Sequence, residues 1–265
     1  MNEKRVIPAS ELIVNEDGSI FHLHLRPEQI SDIVMLVGDP ARVDMIASYF
    51  DSVECNVASR EFKTITGTYK GRRMTALSTG IGTDNIDIVV TELDALANID
   101  FATRQVKNEF KQLTLLRLGT SGALQEDIKV GERVFARTSV GFDGLLNYYA
   151  GRNDVCDLAI ERAFVEHTGW NPLLTAPYFI NADESLFELF KGVTREGITI
   201  AAPGFYAPQG RWVRLQPQDL KLNEKIESFR FEGRRITNFE MESSALAGLA
   251  ALMGHKAGTV CTIIA

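Results

Sequence analysis

The sequence predicts an α/β fold, and three observations carry that prediction. Apolar runs of strand length recur along the chain. Stretches with helical patterning lie between them, and such alternation is the signature of an α/β domain. Three of the apolar runs end in segments rich in glycine and small polar residues: GDPAR (Gly38–Arg42), STGIGTDN (Ser78–Asn85) and RLGTSGALQ (Arg117–Gln125). In open α/β sheets, ligands bind just beyond the carboxyl ends of strands, where glycine lets the backbone approach them.

The elements follow in order. Ile33–Gly38 reads as a buried strand, and PARVDMIASYF as the helix after it. Asp39 is placed to cap that helix, with Pro40 at its first position. Arg72–Gly80 is a second strand, and NIDIVVTELDALAN a second helix. Leu113–Gly119 and Arg133–Val140 are further strands, the first followed by GTSG, which reads equally as a tight turn. Asp143–Ala176 is mixed in character and is expected to hold loops and a helix. Gly197–Gly204 is another strand. MESSALAGLAALMG is a helix stopped by Gly254, and Gly258–Ala265 a last strand. Near the N-terminus, His22 and His24 of FHLHL would share a face if that segment were extended.

Composition narrows the function classes. The chain has 265 residues and a net charge of -7, which argues against general nucleic-acid binding but not against a local anion site. Cys55, Cys156 and Cys261 are distant from one another and form no CxxC pair, so reduced thiols in a cytoplasmic protein are expected, without a disulfide or zinc site. The N-terminus lacks the apolar core of a signal peptide, and no apolar run reaches the ~20 residues of a membrane helix.

Familiar motifs fail. STGIGTDN has Asn85 where a dinucleotide fingerprint wants a third glycine, and there is no P-loop, HExxH or GxSxG elbow. Arg117 stands out, because a buried arginine at the end of an apolar strand needs an anionic partner. A phosphate held by Arg117, Arg42 and the Thr120 region would satisfy it, since the guanidinium fork matches phosphate. Two carboxylates in NFEMESSALAGLA, Glu240 and Glu242, also need a reason, because they stand at the mouth of an apolar segment.

Taken together, FHL, GDPAR, ASREF (Ala58–Phe62), STGIG, LLRLGTSGALQEDIKVGE, FDG (Phe142–Gly144) and NFEMESSAL resemble, in order, the nucleoside phosphorylase family. That resemblance implies a single domain over 1–265 with a central mixed, twisted sheet flanked by helices. It implies that Gly38, Arg42, Arg60, Arg117 and Thr120 bind phosphate, with Arg60 reaching into the neighbouring subunit. His22 would cross a dimer interface to the ribose. Met241, Glu242 and Thr120 would hold the sugar, Glu242 through its 2' and 3' hydroxyls. Residues two apart do not share a helix face, so Glu240 is assigned a different task, either capping or support of the ribose site.

The resemblance also implies the base. In GFYAPQGRW, Phe205, Gln209 and Arg211 fall at the offsets that hold uracil in family members, so Arg117, Glu242, Gln209 and Arg211 are the expected catalytic residues. The implied reaction is reversible phosphorolysis of uridine to uracil and ribose 1-phosphate, with phosphate as co-substrate, no required cofactor and no metal. The alternatives are a purine phosphorylase, a nucleosidase, or a catalytically silent nucleoside-binding protein. Purine-cleaving relatives end the late strand with Ser-Asp, where this chain reads Ile264 and Ala265. Family members continue past this point with a closing helix, which the chain is expected to lack. Some relatives hold potassium through a glutamate, a carbonyl and a serine. Glu61 and Ile81 match the first two and Asn85 stands at the third, which leaves a monovalent cation open. The expected assembly is a homo-oligomer, with a dimer as active-site unit and a hexamer overall, binding neither nucleic acid nor membrane.

Overall fold

A computed structural model describes residues 5–265. They fall into two compact units. One comprises the chain up to Gly80, Asp87–Leu116 and Met253–His255; the other comprises Ile81–Ile86, Arg117–Leu252 and Lys256–Ala265.

The first unit starts with strand β1 (Ile33–Val37) and helix α1 (Pro40–Ala47). The expected cap is there: the Asp39 side chain accepts from Ala41 N at 2.8 Å. An antiparallel meander follows in β2 (Ser52–Ser59), β3 (Phe62–Tyr69) and β4 (Arg72–Ser78). Strand β1 pairs parallel with β4, and α1 packs on β3 and β4. Helix α2 (Thr83–Asn98) enters this unit at Asp87 and buries Val89, Val90, Leu93 and Leu96, with Ala95 and Ala97 buried beside them toward its end. A short pair, β5 (Ile99–Asp100) and β6 (Gln105–Val106), leads to β7 (Thr114–Ala123), which starts beside β1.

FHLHL is not a strand. It is a turn with His24 at φ +55°, which buries Leu23 and Leu25 and leaves His24 exposed. The two histidines therefore share no strand face.

The second unit holds β8 (Arg133–Gly141), α3 (Arg152–Val155), α4 (Leu158–Thr168), β9 (Tyr178–Asn181), α5 (Glu184–Phe190), β10 (Arg195–Ala201), α6 (Leu222–Ser228), β11 (Arg230–Phe231), β12 (Arg234–Glu240), α7 (Ser243–Met253) and β13 (Lys256–Ile263). Strands run in the order β11-β12-β10-β8-β13-β7, and a further β12–β7 pairing closes the path on itself. A sheet closed in this way leaves fewer strand edges unpaired. Strand β10 is parallel to β8 and β12, and β13 is antiparallel to β8, so the sheet is mixed as expected. Helices α4 and α6 cover an apolar cluster that includes Val140, Phe164, Phe179, Ile200 and Phe229.

Two local readings change. GTSG is not a turn: β7 runs straight through it to Ala123. Helix α7 begins at Ser243, so Met241 and Glu242 precede it and Glu240 is the last residue of β12. The register sets Gly141, Ala201 and Glu240 level with one another, so the carboxyl ends of three parallel strands meet at the two glutamates.

Candidate active site

In the second unit the site grows from β7. Alternation along this strand buries Leu115, Arg117, Gly119 and Ser121 on one face and leaves Thr120 exposed on the other. Arg117 is only 4% exposed, and its anionic partners lie in the protein. Its Nη1 is 3.0 Å from Glu240 Oε2, and its Nη2 pairs with Glu242 Oε2. The sequence called for an anion here and proposed a phosphate; two carboxylates, one at the end of β12 and one in the turn after it, already answer. The Arg117 Nε is buried and meets no acceptor among the described residues. Gly119 makes room for this arginine, because a Cβ there would lie 2.3 Å from Arg117 Nη1.

Glu240 caps α7. Its carboxylate accepts from Glu242 N at 2.9 Å, from Ser243 N at 2.9 Å and from Ser243 Oγ at 2.6 Å. This satisfies backbone donors at the helix start and places negative charge at its positive end. Of the two tasks left open for Glu240, the geometry carries capping, joined to a grip on Arg117. Glu242 points elsewhere, its Oε1 accepting from Gly82 N at 2.8 Å. The different jobs follow from a strand end and a turn, not from two faces of a helix.

Burial pushes the Glu240 carboxyl up to about 7; Arg117 opposes that rise and the Glu242 charge adds to it. Burial works against the Arg117 charge, but Glu242 and Glu240 more than offset it and hold its pKa above the ordinary arginine value. Sequence reasoning gave Cys261 no part here. Its thiol lies 3.8 Å from Arg117 Nη1, and burial pushes it up to about 12, so it is an inert wall.

The expected base-binding residues come together. A short turn over Ala207–Gln209 follows β10 and ends at Gly210, at φ +78°. It brings Arg211 back over Phe205, its guanidinium carbon 3.8 Å from the ring centroid. Arg211 Nη1 donates to Gln209 Oε1 and to Phe205 O, each at 2.6 Å. Gln209 is buried, and its carbonyl accepts from Asn223 Nδ2 at 3.1 Å. The group sits over β7, since a Cβ on Gly122 would be 3.9 Å from Arg211 Nη2. Met241 is half-buried between the two glutamates. The sequence also missed a support under α7: the Tyr178 hydroxyl lies 3.0 Å from both Asp143 Oδ1 and Ser244 Oγ.

The first unit places the other expected residues. Gly38 follows β1, and a Cβ on it would be 3.3 Å from both Arg42 Nη2 and Gly80 O. Gly80 N donates to Gly38 O at 3.0 Å, which ties GDPAR to the STG loop. His22 Nδ1 is 2.6 Å from Glu92 Oε1, and Glu92 also accepts from Leu23 N at 2.8 Å, so ring and loop are fixed by one carboxylate. Arg60 is exposed at φ +55°, its guanidinium carbon 5.6 Å from the Phe21 centroid. Glu61 is exposed, and its carbonyl accepts from Ser78 Oγ at 2.7 Å. Ile81, assigned to the second unit, is exposed.

The sequence pattern of the phosphorylase superfamily matches residues 32–265. A uridine phosphorylase of Thermococcus kodakarensis is 32% identical over 94% of this chain and 78% of its own length. A DeoD-type purine nucleoside phosphorylase of Anoxybacillus flavithermus is 29% identical over 91% of this chain and 85% of its own. Among solved structures, a Trypanosoma brucei nucleoside phosphorylase described as showing uridine phosphorylase activity matches with a TM-score of 0.85 at 30% identity. That match covers 95% of this chain and 89% of the other.

Proposed function

Because this chain belongs to the phosphorylase superfamily, we propose that it is a pentosyltransferase that cleaves uridine with phosphate, giving uracil and ribose 1-phosphate, in pyrimidine salvage. One observation carries the choice of base: Gln209 and Arg211 are hydrogen-bonded to each other beside the Phe205 ring. An amide and a guanidinium together complement the O2, N3–H and O4 edge of uracil.

The transition state of this substitution resembles an oxocarbenium ion, so the protein has three tasks. It must hold phosphate ready beneath C1', which turns an encounter into positioning. We assign this to Gly38, Arg42, Arg60, Arg117 and Thr120. The unpartnered Arg117 Nε supports that role, since it offers a donor while both Nη atoms stay on the glutamates. The sugar must be fixed, by Glu242, Met241, Thr120 and His22. Each Glu242 oxygen accepts one bond from the protein, from Gly82 N or Arg117, and a carboxylate oxygen has a second lone pair for a hydroxyl. Finally, the leaving base must be stabilised as charge grows on its oxygens, which falls to Gln209 and Arg211.

The reading extends to a cytoplasmic homo-oligomer, with a dimer as active-site unit and a hexamer overall. It requires no cofactor, and Glu61 and Ile81 are the residues to test for a monovalent cation. The test follows ultraviolet absorbance with uridine, with and without phosphate, and with inosine alongside. The expected result is base release from uridine that depends on phosphate. Release without phosphate, or preference for inosine, would overturn the proposal.

A further inference from the structure

The parallel strands β8, β10 and β12 carry the candidate site at their carboxyl ends. Toward their other ends the ladder is broken twice at one level. Gly197 pairs with Ala136 and Ile198 with Thr138, so Arg137 is an extra residue in β8. Ile198 pairs with Ile236 and Thr199 with Asn238, so Thr237 is an extra residue in β12. Bulges re-aim side chains and gather near functional sites. Both extra residues line a cavity of about 380 Å³. Gly197 lies between them, where a Cβ would come within 2.1 Å of Thr237 Oγ1.

The cavity wall is cationic. Arg137, Arg195, Arg234 and Arg235 line it, against Glu196, and Arg234 reaches Glu232 at 3.4 Å and Asp157 at 3.9 Å outside the lining. Arg137 Nη2 pairs with the exposed Glu184, and its guanidinium carbon stacks 4.3 Å from the Phe187 centroid. Its Nη1 is enclosed and meets no acceptor among the described residues. A buried charged donor left in this way is costly, and among the described residues Arg117 is the other arginine with one. Arg195 and Arg235 share Asp127, at 3.2 and 2.6 Å, and Arg195 also holds Glu132 at 3.0 Å. Surface pairs of this kind hold weakly, and each guanidinium has five donors, so a ligand need not displace them.

We propose that this cavity is a second anion site, separate from the candidate active site, that takes a phosphorylated metabolite of sugar-phosphate size. Several guanidinium forks around one space match a phosphoryl group. Among the described residues no aromatic side chain lines the cavity to stack a base. Thr138 Oγ1 donates to Asn181 Oδ1 at 2.7 Å, which fixes the amide and leaves its N–H donors for a polyol. Calorimetric titration of the full chain with ribose 5-phosphate, with citrate as the carboxylate comparison, tests this. Ribose 5-phosphate binds more tightly than citrate, and Arg137→Ala with Arg234→Ala weakens it about tenfold or more while uridine turnover is unchanged. Glu196→Gln, at an exposed position, tightens binding severalfold by removing the carboxylate that lines the cavity among the described residues. Binding that the double variant leaves unchanged, binding that Glu196→Gln weakens, preference for citrate, or no binding at millimolar ligand would each overturn the assignment.

Discussion

At the scale of single residues, two positions separate the roles assigned above. Arg211 bonds Phe205 and Gln209, neither of which is assigned to phosphate. Arg211→Ala should therefore lower uridine turnover by on the order of a hundredfold while phosphate affinity changes little, since it removes stabilisation of the leaving base. Steady-state kinetics in both substrates measure the split, and equal losses would show that the roles are wrongly divided. Gly119→Ala is the second case. The new methyl would sit 2.3 Å from Arg117 Nη1 and 3.0 Å from Cys261 Sγ, on atoms that the glutamates hold in place. Arg117 must move, so turnover should fall at least tenfold and the unfolding midpoint should drop, because overpacking a core typically costs about 1–3 kcal/mol. Unchanged turnover would mean that the Arg117 position is not critical. Glycine here serves steric room and not an unusual φ, which is why its sequence context gives no warning.

Elements show a second kind of dependence, in which a side chain on one holds the start of the next. Glu240 ends β12 and caps α7 while gripping Arg117. Its carboxyl is pushed up from an ordinary 4.5 to about 7, chiefly by burial. Between those values the unfolded chain releases this proton and the folded chain keeps it, so the folded state loses stability as pH rises through the window. The loss is at most about 3 kcal/mol, complete above pH 7 and absent below 4.5. Urea midpoints across that range should show the slope in the native chain and not in Glu240→Gln; identical slopes would sink the assignment. The capping half of this arrangement was only partly legible in the sequence. NFEME reads as the approach to a helix, but nothing local says that the strand lasts until Glu240, because a two-residue turn leaves no glycine or proline mark. In GDPAR, by contrast, Asp and Pro announce the α1 cap, and the structure has it. Strand β2 leaves no mark in the sequence because its residues are half-exposed or exposed, so it lacks the apolar run that betrays β1. Arg117 stands out by its charge, but its glutamate partners lie more than a hundred residues away, where no spacing rule reaches.

At the scale of the whole molecule, the question is how many chains make one site. His22 is held by Glu92 through Nδ1, and Arg60 is exposed. Both are assigned across a dimer interface, whereas Glu242 and Arg211 are assigned to the site of their own chain. Mixing variants decides it. A chain with His22→Ala and Arg60→Ala should be nearly inactive alone, and so should a chain with Glu242→Ala. If a site combines Glu242 and Arg211 of one copy with His22 and Arg60 of another, a mixed dimer has one intact site and one doubly damaged site. Unfolding and refolding equal amounts together makes half of the dimers mixed, so activity should return to about a quarter of the native level. If all four residues serve the same chain, every site in the mixture carries one lesion or the other, and activity stays at the level of the separate variants. The measurement needs no knowledge of the full assembly, because a twofold pair gives this fraction whether it stands alone or is repeated within a hexamer.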